Sequence, residues 1–516
     1  MISSNFENFN NINSFCDYGS VRRDIKEIFE IYADSKIKAS PEHKFFRLDG
    51  FEIKEVAAKN LKKGDFVACA NKIEILGEGQ ILPVVETKSM VIVKKDGISE
   101  IKQQLLNLGL TREEACNNLN ITPRQLRRVL NQGYATEAGN FQLLINQGVN
   151  KQVYEFLEPY TSYKHRNIVI PNTLSVELAQ ILGYFLGDGN LEKGSIRFKD
   201  QRKEVLEVYQ NLCKRVFGIC GRISKVSNKN CYSLAINSKA VRELVKKIKT
   251  DLFSYVSKSS KEHIRMFIRG FMDAEGFVSK KRPTVSISQK DELTLRYIQL
   301  MLLRFGIRSR LRFSKKAGCN GWYTLQFDGR DFLKFAEEIG VSALDKKKLM
   351  DKWKKYCIRE GSFTKEDFPI ERKLLWDLLS DLNLHPSKFM RPRPSSYRCT
   401  TKDNVGRIFD KLDNLNITNK EVNDKIDFMK RIFNGDIRFE KVRKLNLIKN
   451  NEPLYDISVP IAENYIANGF VVHNSTFRIY LRKGKKGSRV AKLVDAPATP
   501  DGECIFNVVN EGIRDI

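Results

Sequence analysis

The sequence predicts a multidomain protein with a duplicated α+β unit in the middle, β-rich segments at both ends and a small helical segment between them. Two observations support this prediction. Two matching motifs, LGYFLGDG at 182–189 and RGFMDAEG at 269–276, each end an apolar helix with a carboxylate and a glycine. Short apolar runs separated by turn signals, typical of β-strands, recur from about residue 28 and from about residue 454.

The composition indicates a polyanionic partner. The 516 residues include 89 Lys and Arg against 62 Asp and Glu, which gives a formal net charge of +27. This excess favours DNA or RNA, with a merely basic protein as the alternative. The 10 cysteines form no CxxC pair, which argues against structural zinc and a disulfide framework and favours a cytoplasmic protein. The sequence contains no apolar run of membrane-spanning length, so we expect no membrane partner.

The N-terminal β-rich segment contains one candidate site. The first twenty residues predict no clear element, and strand-like runs with turns at 49–50 and 64–65 follow. Within them, the tight segment SPEH holds Ser40 and His43. Taken alone, a histidine beside proline and phenylalanine is more often a packed surface residue.

Residues 101–148 are predicted to be helical. LTREEACNNLNITPRQLRRVL indicates a helix, a short turn and a second helix, with Thr122 as its cap and Pro123 at its first position. A DNA-reading helix-turn-helix and a plain helical hairpin both fit this pattern. The predicted apolar face comprises Ala115, Leu119, Leu126, Val129 and Leu130. The predicted DNA contacts are Arg124, Arg127 and Arg128.

Small residues four positions apart in each motif predict a close helix crossing. These pairs are Gly183 with Gly187, and Gly270 with Ala274. The crossing would bring Asp188 and Glu275 together at one end of the two helices. Close carboxylates repel unless a divalent cation lies between them, and Mg²⁺ prefers such oxygen ligands. The pattern therefore predicts metal-assisted phosphodiester hydrolysis, with ordinary helix packing as the alternative for a single copy.

The two motifs, together with the later strands CYSLAIN and WYTLQFDG, resemble the LAGLIDADG motifs of the dodecapeptide (DOD) type homing endonucleases. The resemblance implies an αββαββα core with pseudo-two-fold symmetry that binds double-stranded DNA under a saddle of strands. It implies that Asp188 and Glu275 are the catalytic, Mg²⁺-binding acids. It also implies lysines that stabilise charge on the phosphorane, for which Lys249 and Lys347 are the candidates by position.

Basic residues alternate with apolar ones on the predicted hairpins of both copies. This pattern is typical of a sheet with one packed face and one phosphate-contacting face, although a solvated basic face is the alternative. The first copy offers Arg197, Lys199, Arg202, Arg222 and Lys225. The second copy offers Lys280, Lys281, Arg308, Arg310, Arg312, Lys315 and Lys316.

The segment LYDISVPIAENYIANGFVVHNST, at 454–476, predicts two strands that end in His473, Asn474 and Ser475. The side-chain amide of Asn474 can attack its own backbone carbonyl and cut the chain before Ser475. His473 is placed for general acid catalysis, and the Ser475 hydroxyl can accept an acyl group. Taken alone, an HNS tripeptide is most often a chance occurrence.

Taken together, the two ends of the chain resemble an intein. SPEH with KNLKKGDFVA, and YDISVP with IANGFVVHNS, are similar to the splicing blocks of that family. The resemblance covers residues 21–474 and implies an all-β Hint domain split around the endonuclease. It implies that Ser40 and His43 activate the upstream scissile peptide, that Asp456 assists branching, and that His473 and Asn474 release the intein.

The chain departs from the intein pattern in two places. Glu463-Asn464-Tyr465 stands where many inteins have an assisting histidine. No N-terminal block with a Cys or Ser nucleophile precedes SPEH, and Cys16 is not followed by the expected apolar run. We therefore expect a chain that begins inside the intein, without complete splicing in cis.

The last segment, STFRIYLRKGK onward, predicts two strands around a Gly/Lys turn and one further strand, and it resembles the C-terminal end of archaeal RadA recombinases. GxxxxGK[ST] does not occur, so ATPase activity is not expected. The predicted domains are 1–98 (first part of the Hint domain), 99–165 (helix-turn-helix-like), 166–362 (endonuclease), 363–434 (helical, Pro-rich), 435–474 (second part of the Hint domain) and 475–516 (host recombinase).

The preferred hypothesis is a RadA intein fragment whose nuclease makes a staggered double-strand cut in an intein-free recombinase gene. Three alternatives remain open. They are a catalytically dead DNA-binding remnant, a recombinase subunit, and a split intein that joins a separately encoded N-terminal part.

Overall fold

The structure is a computed structural model that describes residues 2–6, 10–13, 18–22, 25–83, 90–109, 111–118, 121–132, 136–137, 157–159, 168–316, 320–360, 367–389, 399–459, 462–474, 478–484, 488–495, 502–509 and 512–515. The chain forms two compact units. The first unit comprises Met1–Leu76, Gly276–Val341 and Asp345–Ile516, and the second comprises Gly77–Glu275 and Ser342–Leu344. The predicted domain boundaries stay predictions.

The first unit begins with eight strands, β1 (Ile2–Asn5), β2 (Asn10–Asn13), β3 (Tyr18–Arg22), β4 (Glu27–Tyr32), β5 (Lys36–Ala39), β6 (Lys44–Asp49), β7 (Glu52–Ala57) and β8 (Phe66–Ala70). The second unit contains β9 (Met90–Val93), α1 (Lys95–Asn107), α2 (Arg112–Asn118), α3 (Pro123–Gln132), β10 (Thr136–Glu137), β11 (Leu157–Pro159), α4 (Val176–Asp188), β12 (Gly189–Glu192), β13 (Ser195–Asp200), α5 (Lys203–Phe217), β14 (Arg222–Lys225), β15 (Tyr232–Asn237), α6 (Lys239–Thr250), α7 (Leu252–Lys258) and α8 (Lys261–Glu275).

The first unit resumes with β16 (Gly276–Val278), β17 (Thr284–Gln289), α9 (Glu292–Leu303), β18 (Arg310–Ser314), β19 (Trp322–Asp328), α10 (Gly329–Glu338), α11 (Leu344–Glu360), β20 (Asp367–Glu371), α12 (Arg372–Asp381), β21 (Cys399–Thr401), α13 (Lys402–Leu412) and α14 (Lys420–Asn434). It ends with β22 (Ile437–Lys441), β23 (Lys444–Lys449), β24 (Leu454–Ser458), β25 (Asn464–Ala467), β26 (Phe470–His473), β27 (Arg478–Lys483), β28 (Arg489–Asp495), β29 (Gly502–Val509) and β30 (Gly512–Asp515).

The predicted duplication is present as two four-stranded antiparallel sheets with the same topology. The strand order is β12-β13-β15-β14 in the second unit and β16-β17-β19-β18 in the first. In each copy a helix enters the first strand directly, α4 at Gly189 and α8 at Gly276, and a second helix separates the two hairpins. The order of helices and strands therefore repeats as the motifs predicted.

One sheet of the first unit joins strands from the two ends of the chain. Its order is β22-β8-β26-β6-β7, and β25 pairs with β26. The smaller sheets β23-β4-β5 and β24-β3 also combine early and late strands. The buried core of these strands includes Phe45, Val67, Phe470 and Val472. The chain is thus a mixed α/β, multidomain protein with several small sheets, and its assignment to an all-β Hint fold stays a prediction.

The helical segment at the start of the second unit has the predicted caps. Thr122 Oγ1 accepts a hydrogen bond from Gln125 N at 3.2 Å, and Gln125 Oε1 accepts one from Thr122 N at 2.7 Å. This reciprocal pair satisfies two backbone N–H groups at the start of α3. Four of the five predicted apolar residues are buried, and Leu119 lies outside the described residues.

Several sequence predictions for the elements were wrong. The first twenty residues contain β1, β2 and part of β3, where no element was expected. Residues 136–137 form a strand inside the segment predicted to be helical, and β20 and β21 interrupt the predicted helices of 363–434. The C-terminal segment contains four strands, one more than predicted. Among the described helices, none is both long and apolar enough to cross a membrane.

Candidate functional sites at the chain ends and at the duplicated motifs

The register of two neighbouring strands brings the predicted splicing residues together. Phe45 on β6 pairs with Val472 on β26 in an antiparallel arrangement. Because antiparallel partners advance in opposite directions, this register, continued by two residues beyond the observed pair, predicts that His43 lies opposite Asn474. The His43 N–H donates to the Ser40 carbonyl at 3.1 Å, which fixes the SPEH turn at this end of the sheet.

Asn474 is held in a buried position beside the predicted cleavage point. Its residue surface is 3% exposed, and its backbone N–H donates to the Glu463 carbonyl at 3.0 Å. Its side-chain Nδ2 donates to the Val459 carbonyl at 3.0 Å. Its Oδ1 is buried without a hydrogen-bond partner in the described part of the chain, which costs about 1–3 kcal/mol.

His473 contacts the carbonyl that the proposed cleavage would attack. Its Nδ1 lies 2.5 Å from the Asn474 carbonyl oxygen, and its Nε2 lies 3.3 Å from Glu55 Oε1. The ring also packs 5.9 Å from that of Phe46. A hydrogen bond from the imidazole would withdraw electron density from this carbonyl and make its carbon more electrophilic.

Two other predicted residues of this site have side chains outside the described part of the chain. Asp456 lies on β24, where its backbone pairs with Ser20 of β3, and nothing is described of its side chain. Ser475 lies outside the described residues, as does Cys16, for which no role is predicted. The roles of Asp456 and Ser475 stay predictions.

The two motif helices of the second unit cross with their backbones in contact. A Cβ atom at Gly183 would lie 2.0 Å from the Phe267 carbonyl oxygen, and one at Gly270 would lie 2.1 Å from the Gln180 carbonyl oxygen. No side chain larger than hydrogen fits at either position, which confirms the predicted close approach.

The crossing brings the carboxyl-bearing ends of the helices together. A Cβ atom at Gly187 would lie 2.6 Å from Ala274 Cβ and 3.7 Å from Glu275 Cδ. Asp188, the next residue, is exposed, and Glu275 is half-buried. Two acids therefore stand close to the accessible ends of α4 and α8.

A buried polar network that the sequence analysis did not find supports these helices. The Tyr209 hydroxyl donates to Asp273 Oδ2 at 2.8 Å, and the Tyr184 hydroxyl donates to Asp200 Oδ2 at 2.8 Å. Arg202 donates to Asp200 and, at 2.9 Å, to the Asp273 carbonyl. The Arg202 guanidinium thus already donates to two protein oxygens, and this structure gives no support to its predicted role as a phosphate contact.

Burial and hydrogen bonding act in opposite directions on the pKa of Asp200. Burial would raise the pKa of Asp200, but the hydrogen bonds from Arg202 and Tyr184 outweigh it and hold that pKa below its ordinary value. Burial and the neighbouring carboxylates raise the pKa of Tyr184 and of Tyr209. Both phenols therefore stay protonated donors. The only sequence signal for this network is the presence of polar residues on otherwise apolar helix faces.

The two candidate lysines lie in different units. Lys249 is exposed on α6, and its ammonium nitrogen lies 5.9 Å from the centroid of the Phe185 ring. Phe185 precedes Asp188 on α4 by about one helical turn. Lys347 is exposed on α11, in the first unit.

The predicted basic face of the first copy is partly exposed. Lys199, Arg222 and Lys225 are exposed on β13 and β14, whereas Arg197 is half-buried and pairs with Glu192 at 2.9 Å.

In the second copy, Lys280 is exposed, and so are Lys281, Lys315 and Lys316. Arg308, Arg310 and Arg312 line a cavity of about 570 Å³ in the first unit. Arg308 pairs with Asp331 at 3.2 Å and Arg310 with Asp34 at 3.6 Å, so both already have carboxylate partners.

The helix-turn-helix-like segment presents its arginines as predicted. Arg124 and Arg127 are exposed on α3, and Arg128 is half-buried. The buried face of the same helix carries Leu126 and Val129.

Comparison with known proteins assigns the chain to a family. The family model for the intein splicing domain matches residues 5–474. The chain therefore belongs to the intein splicing domain family. A second model, Rad51, matches residues 455–516.

Curated relatives with unrelated names match most of this chain. Glutamine–fructose-6-phosphate aminotransferase of Methanocaldococcus jannaschii is 25% identical over 86% of this chain and 40% of its own length. Elongation factor 2 of Methanopyrus kandleri is 25% identical over 88% of this chain and 36% of its length. Reverse gyrase of Methanocaldococcus jannaschii is 22% identical over 89% of this chain and 28% of its own length. The chain spans less than half of each relative, and their names describe different activities.

Solved structures with similarity to this chain include I-DmoI in complex with DNA and Mn. It is 21% identical, covers 33% of this chain and 97% of its own, and has a TM-score of 0.27. The N-terminal LAGLIDADG domain of DUF199/WhiA is 18% identical, and the match covers 33% of this chain and 84% of that domain, with a TM-score of 0.25.

Proposed function

We propose that this intein carries a LAGLIDADG-type endonuclease that cuts double-stranded DNA at a specific site. The observation that carries the proposal is the backbone contact between α4 and α8, which sets Asp188 and Glu275 at neighbouring helix ends. The repeated sheet topology and the exposed basic strands support a duplicated DNA-binding surface. The formal net charge of +27 is consistent with that partner.

The acid pair suits a hard divalent cation such as Mg²⁺. Within the described residues, no three His, Cys, Asp or Glu side chains cluster as a metal cage. Two carboxylates nevertheless suffice, because Mg²⁺ keeps several waters and binds proteins through one or two carboxylates. When bound, the ion would activate water and stabilise charge on the phosphodiester. Asp188 and Glu275 would hold it, and Lys249 would add positive charge nearby.

The nuclease proposal is tested with Asp188→Asn and Glu275→Gln. Both changes keep the side-chain size and remove the charge, so we expect a loss of cleavage of at least about 100-fold in Mg²⁺. The substrate is a plasmid that carries an intein-free RadA gene. Glu177→Gln, at the opposite end of α4, is the matched control and is expected to cut normally. Variants of either acid that cut as fast as the parent would contradict the assignment.

We further propose that the chain cleaves itself after Asn474. The Nδ2 atom of Asn474 attacks its own carbonyl carbon, and the bond from that carbon to the nitrogen of residue 475 breaks. Nδ2 loses one proton as it becomes the imide nitrogen, the leaving nitrogen gains one proton, and the upstream chain ends in a succinimide. The contact between His473 and the attacked carbonyl oxygen supports this step, because a donor there stabilises the developing negative charge.

Intact mass spectrometry tests the self-cleavage. The expected product is a chain that ends at residue 474, with a released fragment that begins at residue 475. Asn474→Ala lacks the nucleophile and is expected to stay intact, and Asn451→Ala, at an exposed asparagine, is the control. Parent and Asn474→Ala samples with the same masses over time would contradict the proposal.

Residues 475–516 are proposed to be the downstream part of a Rad51-type host, a proposal supported by the match to residues 455–516. Two alternatives are outcomes of the same experiments. DNA binding without metal-dependent cutting would identify a DNA-binding remnant. Ligation to a synthetic N-terminal intein half would identify splicing in trans.

A further inference from the structure

Glu55 lies on the opposite side of the His473 ring from the carbonyl that the ring contacts. Its Oε1 is 3.3 Å from His473 Nε2, while the Nδ1 of the same ring is 2.5 Å from the Asn474 carbonyl oxygen. The His473 side chain is 11% exposed, so water has little access to the ring. The ring is therefore held between two oxygen atoms of the protein.

Both of these oxygens only accept hydrogen bonds. A neutral imidazole has one N–H and can donate to one of them, whereas a ring with a hydrogen on each nitrogen can donate to both. The Glu55 carboxylate lies close enough to Nε2 to accept a hydrogen bond, and a charged acceptor strengthens such a bond and so fixes the orientation of the ring. Donation from Nδ1 to the Asn474 carbonyl is the contact that the cleavage step requires.

We propose that Glu55 is the positioning residue for His473 in cleavage after Asn474. The inference rests on the proposed self-cleavage and adds a residue that neither the intein motifs nor the sequence analysis singled out. Glu55 contacts the imidazole of His473 and not the reacting groups themselves. Its effect therefore reaches the reaction through the orientation of the imidazole.

Strand pairing explains how Glu55 reaches this position. Glu55 on β7 pairs with Phe46 on β6, and β6 pairs with β26, which ends at His473. The second carboxylate oxygen of Glu55, Oε2, receives a hydrogen bond from Lys44 Nζ at 3.1 Å. Lys44 therefore fixes the carboxylate on its outer side and leaves Oε1 directed at the ring.

The first experiment follows cleavage in the full chain by intact mass spectrometry. General acid groups contribute about 10²–10⁴-fold to rates, so loss of the orienting partner is expected to slow cleavage at least about tenfold in Glu55→Gln and Glu55→Ala. Glu52→Gln removes a carboxylate from the same strand without touching the ring and is expected to cleave at the parent rate. Circular dichroism of each variant checks that the fold is retained.

The second experiment reads the ring directly and does not require cleavage. Nitrogen-15 NMR of the labelled histidines, in an Asn474→Ala background, is expected to show that Glu55→Gln shifts the His473 ring signals, because the ring loses its carboxylate partner. Glu52→Gln is expected to leave these signals unchanged, so a shift specific to Glu55→Gln is a change that a merely structural role would not produce. An unchanged ring signal in Glu55→Gln overturns the inference, and so does an unchanged cleavage rate. A Glu55-dependent ring in a chain that never cleaves would refute the proposed self-cleavage and leave the positioning contact standing.

Discussion

Asp200 and Asp273 are two buried carboxylates close to the proposed acid pair in the sequence of the motif units. Asp200 accepts a hydrogen bond from the Tyr184 hydroxyl, and Asp273 accepts one from the Tyr209 hydroxyl. Asp273 also accepts backbone hydrogen bonds from Ser342 at 2.7 Å and Ala343 at 3.1 Å. A buried carboxylate is costly unless its oxygens are satisfied. The network therefore fixes the rotation of α8 two residues before Glu275.

Removal of the Tyr209 hydroxyl tests the network. Tyr209→Phe leaves Asp273 Oδ2 without that donor, and we expect a loss of about 1–3 kcal/mol of stability in urea unfolding. The control is Tyr255→Phe, at a half-buried tyrosine on α7, which is expected to change stability little. Equal unfolding curves for Tyr209→Phe and the parent would contradict a structural role for the network.

Asp34 predicts a pH dependence of the first unit. Burial, and then the neighbouring Glu440 carboxylate, raise the pKa of Asp34 to about 6 from an ordinary 3.8, against the lowering effect of nearby arginines. Between these pH values the folded state binds more protons than the unfolded state, so stability falls as pH rises, by at most about 1.4 kcal/mol per pH unit. Urea unfolding at several pH values measures this slope. Asp34→Asn cannot titrate and is expected to lose it, and an equal slope in the variant would contradict the assignment.

At the residue scale, the sequence alone can suggest chemistry for groups that are adjacent in the chain. His473 and Asn474 are such neighbours, so their proposed role in cleavage could be predicted without a structure. Glu55 was missed because its contact with His473 depends on the register of β6, β7 and β26. One residue of slip in any of these pairs would turn its side chain to the other face.

Among the elements, α4 and α8 were the most predictable. Small residues four apart define one helix face, and two such faces meet only where the backbones can touch. Gly183 and Gly270 confirm this, because each lies against a carbonyl oxygen of the other helix. The position of the acids at the helix ends follows from the same spacing.

Gly270→Ala tests the crossing. The added methyl would meet the Gln180 carbonyl oxygen at 2.1 Å, so the helices must separate. We expect a loss of at least about 1–3 kcal/mol of stability, together with the loss of DNA cleavage. Gly406→Ala on α13 is the control, because its methyl would make an ordinary 3.6 Å contact with Phe433 and alanine favours a helix. If Gly270→Ala folds and cuts DNA like the parent, the crossing does not position the acids.

The elements that the sequence did not predict are short, and β1 and β2 pair with each other as consecutive strands. β1 and β2 consist mainly of Asn, Ser and Ile, residues that alone favour loops as much as strands. Their hydrogen-bonding partners, rather than their own periodicity, make them strands. The same holds for β10, two residues long, which pairs with β9.

At the scale of the whole molecule, the positive charge predicts salt-dependent DNA binding. Each lysine or arginine that contacts a phosphate steepens the fall of log affinity with log salt by about one unit. We expect the double variant Arg124→Ala and Arg127→Ala to reduce this slope by about two if α3 contacts the backbone. Fluorescence anisotropy with duplex DNA measures it, and Lys420→Ala on α14 is the control. An unchanged slope would make α2 and α3 a plain helical hairpin.

The pairing of the two chain ends follows from the resemblance of their motifs to one family rather than from local pattern. Strand propensity identified runs near residues 28–70 and 454–473, but propensity does not indicate which strands pair with each other. Only the shared chemistry of SPEH and HNS placed them in one site. The division of the chain into these two compact units had no sequence signal, because packing between segments that are distant in the chain decides it.

The sheet shared by early and late strands has a consequence for synthesis. The Asp34 N–H donates to Glu440 Oε2, across a separation of 406 residues. While the ribosome is still making the middle of the chain, β6 and β8 have no β26 or β22 to join. β26, which ends at His473, is synthesised after β6 and β8, the strands that it joins. The proposed scissile bond therefore meets its buried surroundings only once translation has passed the central segments, which would keep the nascent polypeptide intact until then.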